Sequence, residues 1–301
     1  MHLVHPKVVW PKRFRAPSHT MHVPLKDLML EIRSLEPFPG VAARVLEVAG
    51  REDVVPSELI ELVQTDPGIT SKVLKLCNSA YYGFQREIAS LHEAGNLLGV
   101  TTLVNLVLTS SAGKYFRDYG SARGQSMDAR WQQCVSNAIG ARLIASEHQL
   151  VDPDRAYTAG LLENIGHLVL DRFLEEALAE IRTKALSGAD LMDAEREVLG
   201  LHHAEIGARL STRWSLPSVL VEVIRHHPEP ELAGKDAALA ATVHLAEILT
   251  QELAVKAGDE PLRYSLNDKA LDLTGLTRTQ LAGFAEELRA EMVRARDFVS
   301  G

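Results

Sequence analysis

The chain has 301 residues, of which 46% are hydrophobic and only 5% aromatic, so we expect one large domain or two modest ones around an aliphatic core. Its 32 basic and 40 acidic residues give a net charge of −8, which argues against a general nucleic-acid-binding protein. Two cysteines, no uninterrupted apolar run of about 18 residues and no apolar signal segment predict a soluble cytoplasmic protein without a membrane partner.

Residues 1–24 differ from the rest of the chain and form a basic arm. They contain four prolines, whose spacing disfavours a helix, and no acidic residue. Its Lys and Arg side chains are Lys7, Lys12, Arg13 and Arg15, and its apolar ones include Val8, Val9, Trp10 and Phe14. Two interpretations remain open: the arm packs on the acidic body, which we favour, or it binds nucleic acid or anionic lipid.

Helical periodicity begins at Leu25, and no strand-like alternation of useful length follows. Asp66 is the expected N-cap of one helix, because its side chain can accept hydrogen bonds from the first backbone amides. Pro67 can then occupy the first helical position without losing a bond. In the first half of the chain the predicted helices cover residues 25–32, 41–49, 57–63, 67–76, 90–98 and 103–116.

A polar segment of small residues, 118–126, separates this half from the second. We predict a single helix from Pro153 to about Leu170, which carries the polar pair Glu163 and Asn164 among aliphatic residues. A loop is predicted over 258–268. The other helices predicted in the second half cover residues 128–148, 172–187, 190–199, 203–213, 217–227, 236–256 and 277–298.

Four separated motifs carry a resemblance to a known family. They are Asp66-Pro67 at a helix start, Asn78-Ser79-Ala80 at a helix end, Leu98-Gly99 before the next helix, and GLHHAEIGARL at 200–210. In this order they resemble the HDOD domain, the HD-related output domain of bacterial signalling proteins and a degenerate branch of the HD phosphohydrolase superfamily.

The resemblance implies an all-α fold, in which an HD-like multi-helix bundle is preceded by an N-terminal helical subdomain. It also implies a division of the chain into four parts. These are the arm (1–24), the N-terminal helical half (25–120), a degenerate HD-like half (121–256) and a C-terminal loop and helix (257–301).

A working HD site holds metal with a His, a His-Asp doublet, further His residues and a final Asp, and the metal activates a hydroxide that attacks phosphorus. By the resemblance, the corresponding positions of this chain are Gln133, Glu163, Asn164, His203, His226, His227 and Glu247. The first His, both residues of the doublet and the final Asp are therefore all replaced.

These replacements predict a site without metal chemistry. The amide oxygen of Gln133 is a poor ligand beside imidazole, and Asn164 lacks the charge of the doublet Asp. We expect Gln133, Glu163 and Asn164 to hydrogen-bond to one another where the metal would lie. His202, which precedes a helix, is expected to be solvated.

We therefore predict a non-catalytic regulatory module without catalytic residues or a cofactor, which acts in bacterial signal transduction by contacting an unidentified signalling protein. The sequence leaves its oligomeric state open. One alternative is a divergent metal-dependent phosphohydrolase, whose weak metal candidates are Glu163, His203, His226 and Glu247, with His227 as a further site residue. A second alternative is a sensor that binds a nucleotide second messenger in the old catalytic cleft.

Overall fold

The computed structural model describes residues 25–35, 37–51, 53–119, 127–173, 175–256 and 265–300. Every regular element in these ranges is a helix, and they contain no β-strand, which confirms the predicted all-α class. The basic arm 1–24, and residues 120–126 and 257–264 of the two predicted connecting segments, lie outside the described residues. Of the helices described, none combines the length and the apolar content needed to cross a bilayer.

The first half of the chain forms six helices that pack around a shared aliphatic core. Asp66 caps the fourth of them as predicted, because its Oδ1 accepts hydrogen bonds from the backbone amides of Gly68 at 2.9 Å and Ile69 at 3.0 Å. The helices are α1 (Leu25–Ser34), α2 (Gly40–Ala49), α3 (Pro56–Gln64), α4 (Pro67–Cys77), α5 (Leu91–Leu98) and α6 (Val100–Tyr119).

The Asn-Ser-Ala motif closes the loop between α4 and α5. The Asn78 side chain donates to the carbonyls of Leu74 and Ile88, both at 2.9 Å, and accepts from the Ile88 amide at 2.7 Å. A single side chain thus satisfies the end of α4 and the start of the next segment, which explains why an asparagine follows the last helical residue.

The second half contains two long helices, α7 at its start and α14 at its end, with shorter helices between them. Helices α7, α8 and α14 pack side by side, and α12 and α13 lie against the turn that follows α8. The elements are α7 (Met127–His148), α8 (Pro153–Leu162), the 3₁₀ turn Glu163–Gly166, α9 (His167–Phe173), α10 (Glu175–Leu186), α11 (Leu191–Leu199), α12 (His203–Arg213), α13 (Ser218–His226), two short 3₁₀ turns (Pro230–Leu232 and Gly234–Asp236) and α14 (Ala237–Lys256).

The predicted continuous helix from Pro153 to Leu170 is wrong, because the chain breaks into a 3₁₀ turn at Glu163–Gly166. Asn164 has φ −85° and ψ 16°, outside the helical range. The break brings Gly166 against α12 so closely that a methyl group on Gly166 would overlap the carbonyl oxygen of His203. Backbone-to-backbone packing of this kind admits only glycine. The polar pair Glu163 and Asn164 lies in the same turn and is buried.

Three helices at the C-terminal end complete the hydrophobic core around α7 and α14. They are α15 (Asp268–Thr274), α16 (Arg278–Arg294) and α17 (Arg296–Ser300). Helix α15 begins at the last residue of the predicted loop 258–268 and covers a stretch for which no helix was predicted. The Trp131 indole donates to the Phe298 carbonyl at 2.9 Å, and Gly140 lies against Leu288 and Ala246. The C-terminal helices are therefore part of the same hydrophobic core as the first half.

A partly buried polar network joins α6 to α7 and α8. Arg142 pairs with Asp154, whose Oδ1 also accepts from the Asn105 amide at 3.0 Å. The Asn105 carbonyl oxygen accepts from the Thr158 hydroxyl at 2.6 Å, and the Arg142 guanidinium lies 4.9 Å from the centre of the Tyr157 ring. Each group has a partner, so the network fixes how the two halves of the protein meet.

Candidate functional site

Eight polar side chains from seven helical elements meet in the interior, and we refer to them as the buried polar cluster. None of them is more than 8% exposed, which is unusual for residues that carry charge. They are Asn137 on α7, Glu163 and Asn164 in the 3₁₀ turn, His167 on α9, Glu195 on α11, His203 on α12, His227 after α13 and Glu247 on α14.

The carboxylate side of the cluster is built around Glu163. Its Oε1 accepts hydrogen bonds from the side-chain amides of Asn137 and, at 3.2 Å, Asn164. The Asn164 amide also reaches Glu247 Oε1 at 3.4 Å, and Glu247 Oε2 lies 3.6 Å from His227 Nε2. Asn164, which lies at the 3₁₀ break, thus bridges the two carboxyl groups.

Both carboxyl groups hold their protons more tightly than usual. Burial, with a further contribution from Glu247, raises the pKa of Glu163 well above its ordinary value. Burial likewise raises the pKa of Glu247 to about 7. A protonated Glu163 provides a donor in a region that holds three oxygens without a partner among the described residues, namely Asn137 Oδ1, Glu163 Oε2 and Asn164 Oδ1.

The imidazole side is organised by Glu195. Its Oε2 accepts from the His203 backbone amide at 2.8 Å and lies 2.7 Å from His203 Nδ1. Burial alone would lower the pKa of His203, but the Glu195 carboxylate outweighs burial and holds this pKa above its ordinary value. Burial and the neighbouring His203 charge lower the pKa values of His167 and His227 well below the usual range.

Hydrogen bonds fix the orientation of the remaining rings. His227 Nδ1 lies 2.9 Å from the Ile224 carbonyl, which can only accept, so this nitrogen carries the proton and Nε2 is an acceptor. His203 Nε2 lies 3.4 Å from that acceptor, and the His167 ring stacks on His203 with 4.6 Å between centroids. The cluster therefore places His203, whose pKa is raised, between the Glu195 carboxyl group and the rings of His167 and His227, whose pKa values are lowered.

A family model for the HDOD domain matches residues 35–230. The chain belongs to the HDOD domain family. The match covers all the residues of the buried polar cluster except Glu247, which lies beyond its end on α14.

Solved structures and a curated relative are similar to this chain. A protein of Shewanella amazonensis SB2B named "Putative phosphohydrolase" is 27% identical, with a TM-score of 0.70 over 91% of this chain and 97% of that one. An HDOD domain protein with unknown function from Geobacter sulfurreducens has the same fold, with a TM-score of 0.74 at 22% identity over 92% of this chain and 98% of that one. An uncharacterised protein of Treponema pallidum (strain Nichols) is 28% identical over 77% of this chain, which spans 46% of that protein's length.

The structure brings together five of the seven positions inferred from the HDOD resemblance. Glu163, Asn164, His203, His227 and Glu247 all lie in the buried polar cluster. The remaining two, Gln133 and His226, do not belong to it.

Gln133 is half-buried one turn before Asn137 on α7, and it is Asn137 that donates to Glu163. His226 is half-buried, with its Nε2 3.6 Å from Glu222. The expectation of a solvated His202 is wrong: its side chain is buried, and burial, followed by the neighbouring His203, lowers its pKa to about 4. The residue preceding α12 is enclosed because the 3₁₀ turn and α11 cover this helix start.

Sequence reasoning missed three members of the cluster, each of which had a weak indication. Asn137 follows Gln133 by four residues and so shares its helix face, and His167 follows Glu163 by four residues. Glu195 precedes His203 by eight residues across Gly200, whose left-handed φ of 74° reverses the chain. These spacings become informative only when the helix ends are known.

Two groups of three donors in the cluster have the chemistry of metal ligands. One consists of His167, Glu195 and His203, and the other of Glu163, His227 and Glu247; in each, the donor atoms lie within 4.8 Å of one another. The second group fits a divalent ion better, because it combines a neutral imidazole acceptor with two carboxyl groups and lies beside unpaired oxygens. In the first group, Glu195 is already bonded twice to His203.

Proposed function

We propose that this HDOD protein is a non-catalytic regulatory module of signal transduction that acts through contacts with another protein. The supporting observation is the burial of the positions that would do chemistry. Glu163, His203 and His227 are 0% exposed, and Glu247 is 1% exposed. A phosphoester must reach a metal-bound hydroxide to be hydrolysed, and side chains enclosed to this degree offer it no approach.

The hydrogen bonding of the cluster supports the same conclusion. Asn137, Asn164 and Glu195 occupy the lone pairs and donors that a catalytic site would direct at metal and substrate. These hydrogen bonds restrain the helices that carry them, and a rigid helical scaffold suits a protein whose work is to present a surface. We propose that the partner is a signalling protein and that the two proteins meet in the cytoplasm.

The first test is an activity assay with phosphomonoesters and phosphodiesters in the presence of manganese, magnesium, zinc or iron. We expect turnover no faster than that of the double variant Glu163→Ala, His203→Ala. Metal-dependent turnover that disappears in the double variant would overturn the proposal. A partner recovered by affinity capture should then bind the purified chain saturably, and the failure of every recovered candidate to do so would also count against it.

The second candidate is a metal-dependent phosphohydrolase, and the group of Glu163, His227 and Glu247 is the observation that favours it. Metal content after purification without chelators separates the two candidates. The enzyme requires about one bound ion per chain, lost in Glu163→Ala and kept in the matched control Gln133→Ala, since Gln133 lies outside the cluster. Less than about a tenth of an ion per chain in the unmodified protein and in both variants would exclude the phosphohydrolase.

A further inference from the structure

A cavity of about 140 Å³ lies at the seam between the first half, the second half and the C-terminal helix. It is bounded by α4, α6, α7 and α17, and the buried polar cluster does not contribute to its lining. Its lining residues therefore lie outside the site described above.

Two aromatic residues give the cavity a flat apolar wall. The Trp131 indole is fixed by its hydrogen bond to the Phe298 carbonyl, 2.9 Å away, and only 1% of this residue is exposed. Gly113 on α6 permits the ring to lie this close, because a methyl group there would stand 2.9 Å from the indole. The wall is thus rigid before any ligand arrives.

The polar lining of the cavity contains hydrogen-bond donors and an exposed lysine. The Ser110 hydroxyl, on a residue that is 7% exposed, has no hydrogen-bond partner among the described residues. On α4, Lys72 and Lys75 follow one another by three residues and line the same cavity, with Lys75 exposed to solvent. None of the described lining residues is acidic, although the protein as a whole carries a net charge of −8.

We propose that this cavity binds a small organic monoanion whose flat apolar body has about the size of a benzene ring and carries one carboxylate. A dry apolar cavity of about 150 Å³ accommodates benzene, so the volume fits such a body. The Ser110 hydroxyl donates to the carboxylate, and the exposed Lys75 ammonium supplies the opposite charge at the solvent side. A buried hydroxyl without a partner lowers the stability of the folded protein, and a hydrogen bond to a ligand acceptor would offset this loss.

The probe for this site is sodium benzoate, titrated calorimetrically into the full-length protein. We expect saturable binding with a Kd on the order of 1 mM or tighter. Ser110→Ala should weaken binding by about ten- to a hundred-fold, as expected for a hydrogen bond to a charged group. Lys75→Gln should weaken it by about two- to five-fold, because this charge is exposed.

The neighbouring residue provides a matched control. Ser111 is also on α6, is 3% exposed and has an unpaired hydroxyl, but it does not line the cavity. Ser111→Ala should therefore bind benzoate like the unmodified protein, and the melting temperatures of both serine variants should not fall. Benzyl alcohol, which lacks the charge, and inorganic phosphate, which lacks the apolar body, should each bind at least about ten-fold more weakly than benzoate.

Three outcomes would overturn the proposal. They are the absence of saturable benzoate binding up to about 10 mM, equal losses of affinity in Ser110→Ala and Ser111→Ala, and binding of benzyl alcohol or phosphate as tight as that of benzoate. None of these results depends on whether the protein acts through a partner or as an enzyme.

Discussion

Replacement of Glu195 by alanine would test whether charge holds the imidazole side of the buried polar cluster together. The variant removes a carboxylate that is 1% exposed and that accepts two hydrogen bonds from His203, at 2.7 and 2.8 Å. Loss of one partner from a buried pair typically costs about 3–5 kcal/mol, because the other charge stays buried. For a protein of 301 residues, that corresponds to a fall in Tm of roughly 5–8 °C.

Glu197→Ala provides the control, since it makes the same change two residues away on the same helix. Glu197 pairs with Lys184 at 2.7 Å, but 57% of its side chain is exposed, so we expect a loss of only about 0–1 kcal/mol. Urea unfolding followed by circular dichroism at pH 7 measures both free energies. Equal losses in the two variants would refute the stabilisation of His203 by Glu195.

Three further predictions concern the backbone, the pH dependence and the arm. Gly166→Ala should lower the free energy of unfolding by more than about 3 kcal/mol or prevent folding, because the added methyl group overlaps the His203 carbonyl. The control Gly283→Ala, which has no atom within 4 Å of the added methyl group, should raise the free energy of unfolding in urea by about 0.5–1 kcal/mol. Similar values for the two variants would contradict the close approach of Gly166 to α12. Because the folded pKa of Glu247 is raised from 4.5 to about 7, its contribution to stability is fully present below pH 4.5 and is lost as the pH rises through about 7. Between those values, unfolding experiments should show the unmodified protein losing on the order of 3 kcal/mol relative to Glu247→Gln, and a constant difference would exclude this. Deletion of residues 1–24 should lower the Tm and leave partner binding insensitive to salt if the arm packs on the body; an unchanged Tm with salt-sensitive loss of binding would favour the electrostatic alternative.

Local chemistry explains what could be predicted from the sequence. The start of α4 depends on the Asp66 side chain and the fixed φ of Pro67, both of which act within one helical turn, and this start is confirmed. The ends of helix α15 could also have been predicted, because Asn267 caps its start and Gly275 ends it in a left-handed conformation. Its seven residues are too few to establish a periodic pattern.

Long-range contacts explain what was missed. The break at Glu163–Gly166 arises from the approach of Gly166 to α12, about forty residues further along the chain, and no neighbouring residue announces it. Whether Gln133 or Asn137 reaches Glu163 is a matter of one helical turn, so the motif spacing fitted either residue. The role of Glu195 depends on how α11 and α12 turn around Gly200.

The bond between Trp131 and the Phe298 carbonyl also bears on the order of events during synthesis. These residues are 167 positions apart, and at about 5–20 residues per second a ribosome needs roughly 8–33 s to add that length. During this interval α7 has been made, but one side of it has nothing to pack against. The protein therefore completes its core only after its last helix emerges, and a nascent chain stalled before Phe298 should expose the Trp131 face to chaperones.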